Sequence, residues 1–130
     1  MATGRARIAT EETLAGNGEL PLDVGTMRTS ARRLLAEDAE VPAFEELETL
    51  ILQLRGHIMV AIPEVEAATE KLPVEDVPRA CAITCIREAR MRMAYQPGHG
   101  LPAGIAHAQQ LARSVNALCD HLENLSGGHA

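Results

Sequence analysis

The chain has 130 residues, 46% of them apolar and 23% charged, and its formal net charge is -6. That length suits one domain with one core, and with Phe44 and Tyr95 as the only aromatics the core must be aliphatic. Scarce rings exclude a base-stacking platform, and the acidic balance, with arginines interleaved among acids, argues against binding a phosphate backbone, so no nucleic acid partner is expected.

Residues 1–22 mix Gly, Thr, Glu and Ala without a sustained period, and Ala15-Gly16-Asn17-Gly18 is loop chemistry, so this stretch reads as a flexible N-terminal arm. The first helix is predicted from Asp23 to Thr26 onward, where capping side chains precede Met27, Ala31, Leu34, Leu35 and Ala39. Pro42 is expected to end it, because a residue before proline is pushed out of helical geometry.

The strongest periodicity follows. Phe44, Leu47, Ile51, Leu54, Ile58, Ala61, Val65, Ala68 and Leu72 alternate steps of three and four, the seam of a long amphipathic helix. Pro63 lies inside it, so a kink near Ala61 to Pro63 is predicted with the apolar phase retained. Pro73 and Pro78 bracket a turn. A third helix then runs from Glu75 or Pro78 to Tyr95, with Ala82, Ile86, Ala89 and Met93 inward and Ile83 and Cys85 flanking. Pro97-Gly98-His99-Gly100 reads as a turn between antiparallel neighbours. The last helix carries Ile105, Ala108, Leu111, Ala112, Val115, Leu118, Cys119, Leu122 and Leu125 on one face, with Gly127-Gly128 as its stop.

No segment alternates with the period of two that a strand needs. The predicted fold is therefore all-α: an antiparallel bundle of about four main helices, the second long and kinked near Pro63. Residues 23–126 form the bundle domain and residues 127–130 a C-terminal tail.

Few residues in this pattern point to chemistry. Cys81 and Cys85, four apart on one helix, sit too far apart for an unstrained disulfide. A closed zinc site would require two further ligands from Cys119, His107 or His121, and ordinary packing accounts for these cysteines better. No metal and no cofactor are expected. Arg55-Gly56-His57 interrupts the best helix with a glycine that costs about 1 kcal/mol relative to alanine. Close approach of another chain or a ligand over Gly56 would explain it, with Arg55 and His57 as flanking contacts; neutral drift in a stable helix explains it at least as well, and His57 reads first as a hydrogen-bonded boundary histidine. His107, Ser114 and His121 share a stripe on the last helix, but residues seven apart lie roughly 10 Å from each other and cannot form a catalytic triad within it. They read as a polar boundary face. The glutamates at 45, 46, 48, 64, 66 and 70 read as solvated faces, since the Glu-x-x-His spacing of carboxylate-bridged bundles does not occur. No glycine-rich phosphate loop, Gly-x-Ser-x-Gly elbow or His-Glu-x-x-His segment gives positive support for an enzyme.

No apolar run approaches the roughly 20 residues that cross a bilayer, and the N-terminus lacks the apolar stretch of a secretory signal. No membrane association is expected, and cytoplasmic residence with three reduced cysteines follows.

The stretch Glu46 to Glu66, with Leu54-Arg55-Gly56-His57 and Ile62-Pro63-Glu64-Val65-Glu66 at its centre, together with Val77 to Ala82 and Leu118 to Leu125, resembles a family of small actinobacterial proteins of unknown function associated with natural-product biosynthesis. The resemblance covers about residues 26 to 126. It implies a cytoplasmic, helical protein, in keeping with basic residues that are all arginine except Lys71, and it supplies no catalytic residues. The expected function is that of a non-enzymatic accessory or regulatory protein that binds a protein partner or pairs with itself as a homodimer. The alternative is a bundle that holds a small apolar ligand between its helices, with Met59, Met91 and Met93 as adaptable walls.

Overall fold

A computed structural model describes residues 22–126; the predicted arm, apart from Leu22, and the Gly127-Gly128 stop lie outside the described residues. Four helices follow in order: α1 (Val24–Leu35), α2 (Phe44–Thr69), α3 (Val77–Ala94) and α4 (Leu101–Ser126). Among the described residues there is no strand.

Each start has a local cause. Asp23 caps α1, its carboxylate accepting from the Thr26 N–H at 3.0 Å, and Asp76 caps α3 by accepting from Arg79 N–H at 2.9 Å. Both satisfy amides that have no partner within the helix. α2 has no side-chain cap but places Glu45 and Glu46 in its first turn, where negative charge suits the positive end of the helix dipole. Before α4, Gly100 takes φ +99°, a left-handed conformation that glycine alone adopts cheaply, and its carbonyl accepts from Gly104 N–H.

Two boundaries differ from the sequence expectation. α1 stops at Leu35, well before Pro42. Ala36 turns extended, and the Arg33 guanidinium donates to Glu40 O at 2.8 Å and Pro42 is buried, contacts that hold the chain after Leu35 on its non-helical course. α2 stops at Thr69, leaving Leu72 half-buried in the following loop, and Arg79 Nε donates to the terminal Thr69 carbonyl at 3.1 Å. The helix runs unbroken through Pro63. Ile58, Ala61, Ile62 and Val65 stay buried on either side of it, so the apolar phase carries across as the spacing predicted. Phe44, placed at the head of the seam by its spacing, is 59% exposed; as the first helical residue it lies before the turn that engages the core.

Contacts fix the directions. Arg33 meets Glu46 (α1 to α2), Glu66 meets Arg90 (α2 to α3), Arg92 meets Ser114 (α3 to α4), and Arg28 meets Asp120 and Glu123 (α1 to α4). Every sequential pair is antiparallel, giving an up-down-up-down bundle. α1 and α3 do not touch, whereas α2 and α4, which run parallel, make the most extensive contact of all. The bundle is therefore compressed along the α2–α4 diagonal.

Small residues permit that approach. Ala108 and Ala112 of α4 and Ala61 of α2 are buried. A Cβ at Gly104 would come within 2.9 Å of Leu47 Cδ2, both in the first turns of their helices. Around this diagonal the aliphatic core gathers Leu54, Ile58, Val65, Leu111, Val115 and Leu118, all essentially without solvent contact.

Candidate functional site

Arg55, Gly56 and His57 do not form one site, because successive helical residues point about 100° apart. Arg55 reaches across to α3, where Nη1 donates to the Met93 carbonyl at 2.8 Å and so satisfies one of the unpaired carbonyls at that helix end. His57 turns toward α1, with Nε2 3.2 Å from Ser30 Oγ in a hydrogen bond. Gly56 faces outward, and a Cβ built on it would meet nothing within 4 Å.

The outward face of α2 is apolar for several turns. Leu52 is 71% exposed, Met59 63% and Val60 50%, and with Gly56, Pro63 and Ala67 they form one solvent-facing stripe. Exposed Glu45 and Glu48 stand at one end of that stripe and exposed Glu70 at the other. A soluble surface tolerates isolated apolar residues, but a contiguous row rimmed by charge is a recognised mark of an interaction face.

The three methionines divide between two depressions on either side of α3. Met59 and Met93 border a shallow groove of about 470 Å³ with Ile62, Pro63 and Ala94 between α2 and α3. Met91 lies on the other side, in a cleft of about 530 Å³ between the end of α3 and the start of α4, with Arg92, Tyr95, Ala106 and His107 among its walls. His57 lines neither.

This second cleft has polar features in an otherwise apolar wall. Arg92 Nη1 donates to Ser114 Oγ at 2.9 Å and to the Gln110 carbonyl at 3.3 Å. The Tyr95 and His107 rings lie 5.8 Å apart, tilted by 37°. The expectation that His107, Ser114 and His121 form a polar boundary face needs correction: His107 and Ser114 are buried and only His121 is half-exposed. The stripe turns toward the α3 hairpin, where Arg92 supplies the partner that lets Ser114 be buried.

Burial, aided by the nearby Arg55 charge, holds the His107 imidazole below its ordinary pKa of 6.5. Burial also lowers His57, against an opposing pull from Asp23. Both rings bind protons less readily in the folded state than in the unfolded chain, so their contribution to stability is complete above about pH 6.5 and is lost as pH falls below it. Thermal unfolding at pH 7.5, 6.5 and 5.5 should show a falling midpoint over this range, above the region where carboxylates titrate. The His57→Gln/His107→Gln double variant should flatten that slope; an equally steep slope in the variant would refute the assignment.

The candidate metal ligands stay apart. Cys81 is exposed, while Cys85 and Cys119 are buried in the core, Cys119 with its thiol 3.9 Å from Met27 Sδ. His107 belongs to the α3–α4 cleft, and His121 lies further along α4. Among the described residues no three His, Cys, Asp or Glu side chains are grouped to hold a metal ion. Burial pushes the Cys85 thiol up to about 11 and raises Cys119 as well, which keeps both protonated at neutral pH and unreactive. Of the glutamates, Glu46 pairs with Arg33 and Glu66 with Arg90.

The cleft around Arg92, Tyr95 and His107 was not anticipated as a site. A signal for it exists in the sequence: the pairs Tyr95/His107 and Arg92/Gln110 share one centre, at Leu101 where α4 begins, and an antiparallel helical hairpin brings such positions together.

No helix among the described residues is long and apolar enough to cross a membrane. Compared with known proteins, the chain matches no curated sequence and no solved structure. Residues 25–127 match DUF6415, a family of unknown function. The matched segment takes in all four helices but for Val24, the first residue of α1, with both depressions and the apolar face of α2, and the chain belongs to this family.

Proposed function

We propose that the protein is a non-enzymatic accessory protein that docks a helix of a partner protein on the outward face of α2. The observation that carries this reading is the exposed row Leu52, Met59 and Val60 around a glycine with open space over it. A glycine in an exposed helix interior weakens the helix by about 1 kcal/mol relative to alanine, and it repays that cost where another backbone crosses closely.

The flanking charges favour a particular partner. Glu45 and Glu48 at one end and Glu70 at the other would face like charges if two copies paired face to face, so a partner helix with an apolar centre and Arg or Lys at its ends fits better than a second copy. The setting proposed for this docking role is the cytoplasm and natural-product biosynthesis, as the resemblance of the 46–66 segment implies.

The test places a photo-crosslinking amino acid at position 60 and, as a control, at Glu88 on α3, in the native cell. A discrete protein adduct from position 60, absent from position 88 and lost in the Gly56→Leu variant, is the expected result. Gly56→Leu should at the same time raise the stability of the isolated protein by about 0.5–1 kcal/mol, since it adds a good helix former facing open space. No adduct, an adduct that Gly56→Leu leaves intact, or an adduct only with a second copy would overturn the proposal.

A further inference from the structure

We propose that the cleft between α3 and α4 binds a small, largely apolar carboxylate, with the acid group held by Arg92 and His107 and the hydrocarbon lying against Met91, Pro97 and Ala103. This site is separate from the α2 face and does not depend on the docking role.

The inference starts from hydrogen-bonding capacity that the fold leaves unused. His107 is only 6% exposed, yet neither ring nitrogen has a hydrogen-bond partner among the described residues, and its one ring contact is with Tyr95. Buried polar groups nearly always have a partner, because losing water without replacement is costly. The ring lines the cleft, so a ligand there can supply what the protein does not.

Arg92 is in a similar position. The residue is half-buried, only Nη1 of its guanidinium is engaged, and both acceptors it meets are neutral. No carboxylate lies within salt-bridge range of it among the described residues, unlike Arg28, Arg33 and Arg90. A guanidinium presents five N–H donors in a planar fork that matches a carboxylate.

The surroundings decide the ligand class. Arg55, which caps α3 at Met93 O, adds a second positive charge close enough to act on His107. Cations are therefore disfavoured in the cleft, although the protein as a whole is acidic. Aliphatic walls and a volume of about 530 Å³ fall within the range of small-molecule sites. A multiply charged anion would leave most of its charge against Met91, Pro97 and Ala103, whereas a single acid on a hydrocarbon body matches both parts.

Decanoate is the probe, followed by the NMR signals of the Met91 methyl and the His107 ring in the full chain, with 1-decanol as the uncharged comparison. The expected result is saturable shifts at both residues in the submillimolar to millimolar range, with 1-decanol binding at least about tenfold more weakly. Arg92→Gln should weaken decanoate by a similar factor while leaving 1-decanol unchanged, and Leu52→Ala on the α2 face should change neither. Should Arg92→Gln fail to fold, the comparison of decanoate with 1-decanol on the wild-type protein still decides. Absence of saturable shifts at Met91 and His107, or equal affinity for acid and alcohol, would overturn the proposal.

Discussion

Replacing Leu54 by alanine should destabilise the protein by about 2–5 kcal/mol, a large share of the roughly 5–15 kcal/mol that holds a domain of this size together. Leu54 sits at the centre of α2 with no solvent contact, among the largest fully buried side chains. Removing its isobutyl group forfeits the transfer of that group from water and leaves a cavity that neighbouring helices cannot close without moving. Leu52→Ala, two residues away on the opposite face, should change stability by no more than about 0.5 kcal/mol. Urea denaturation of the two variants provides the comparison, and similar losses at both positions would mean that the inner and outer faces of α2 have been exchanged.

A second large effect is expected from adding volume. Ala112 is completely buried on α4, four residues after the equally buried Ala108. Leucine and alanine differ little in helix propensity, so Ala112→Leu isolates packing: three additional carbons must enter a core already filled. The expected cost is about 1–3 kcal/mol, accompanied by displacement of neighbouring helices. Denaturation midpoints give the magnitude. A variant as stable as the wild type would show that the approach of α2 and α4 is looser than described.

The fold was readable because the chain repeats its apolar residues at helical spacing almost without interruption. Leu47, Leu54, Ile58, Ala61 and Val65 were placed on one side of α2 by spacing alone and are all buried, but so are Leu50, Ile62 and Thr69, which the seam left out, while its Ile51 and Ala68 are only half-buried. The loop after α1 was not readable, since Leu35 is followed by residues compatible with another helical turn. Beyond Leu35 the chain is held by a contact from Arg33 to Glu40 O and by the burial of Pro42, and neither is visible in the apolar spacing. The candidate sites divide in the same way. The open space over Gly56 could be anticipated from one helix, because it depends only on which direction that helix presents. The α3–α4 cleft depends on two helices at once: Arg92 and Tyr95 acquire their meaning only when the hairpin brings Ser114 and His107 opposite them.

The parallel pairing of α2 with α4 also bears on how the chain assembles. The two helices in fullest contact are not consecutive; a complete helix and two turns intervene between Thr69 and Leu101. Closing so long a loop directly is entropically expensive, while each antiparallel hairpin forms from neighbours joined by a few residues. α3 packs against both long helices and adds Ala82, Cys85, Ile86 and Ala89 to the core, so forming the two hairpins it belongs to brings α2 and α4 side by side without that long closure.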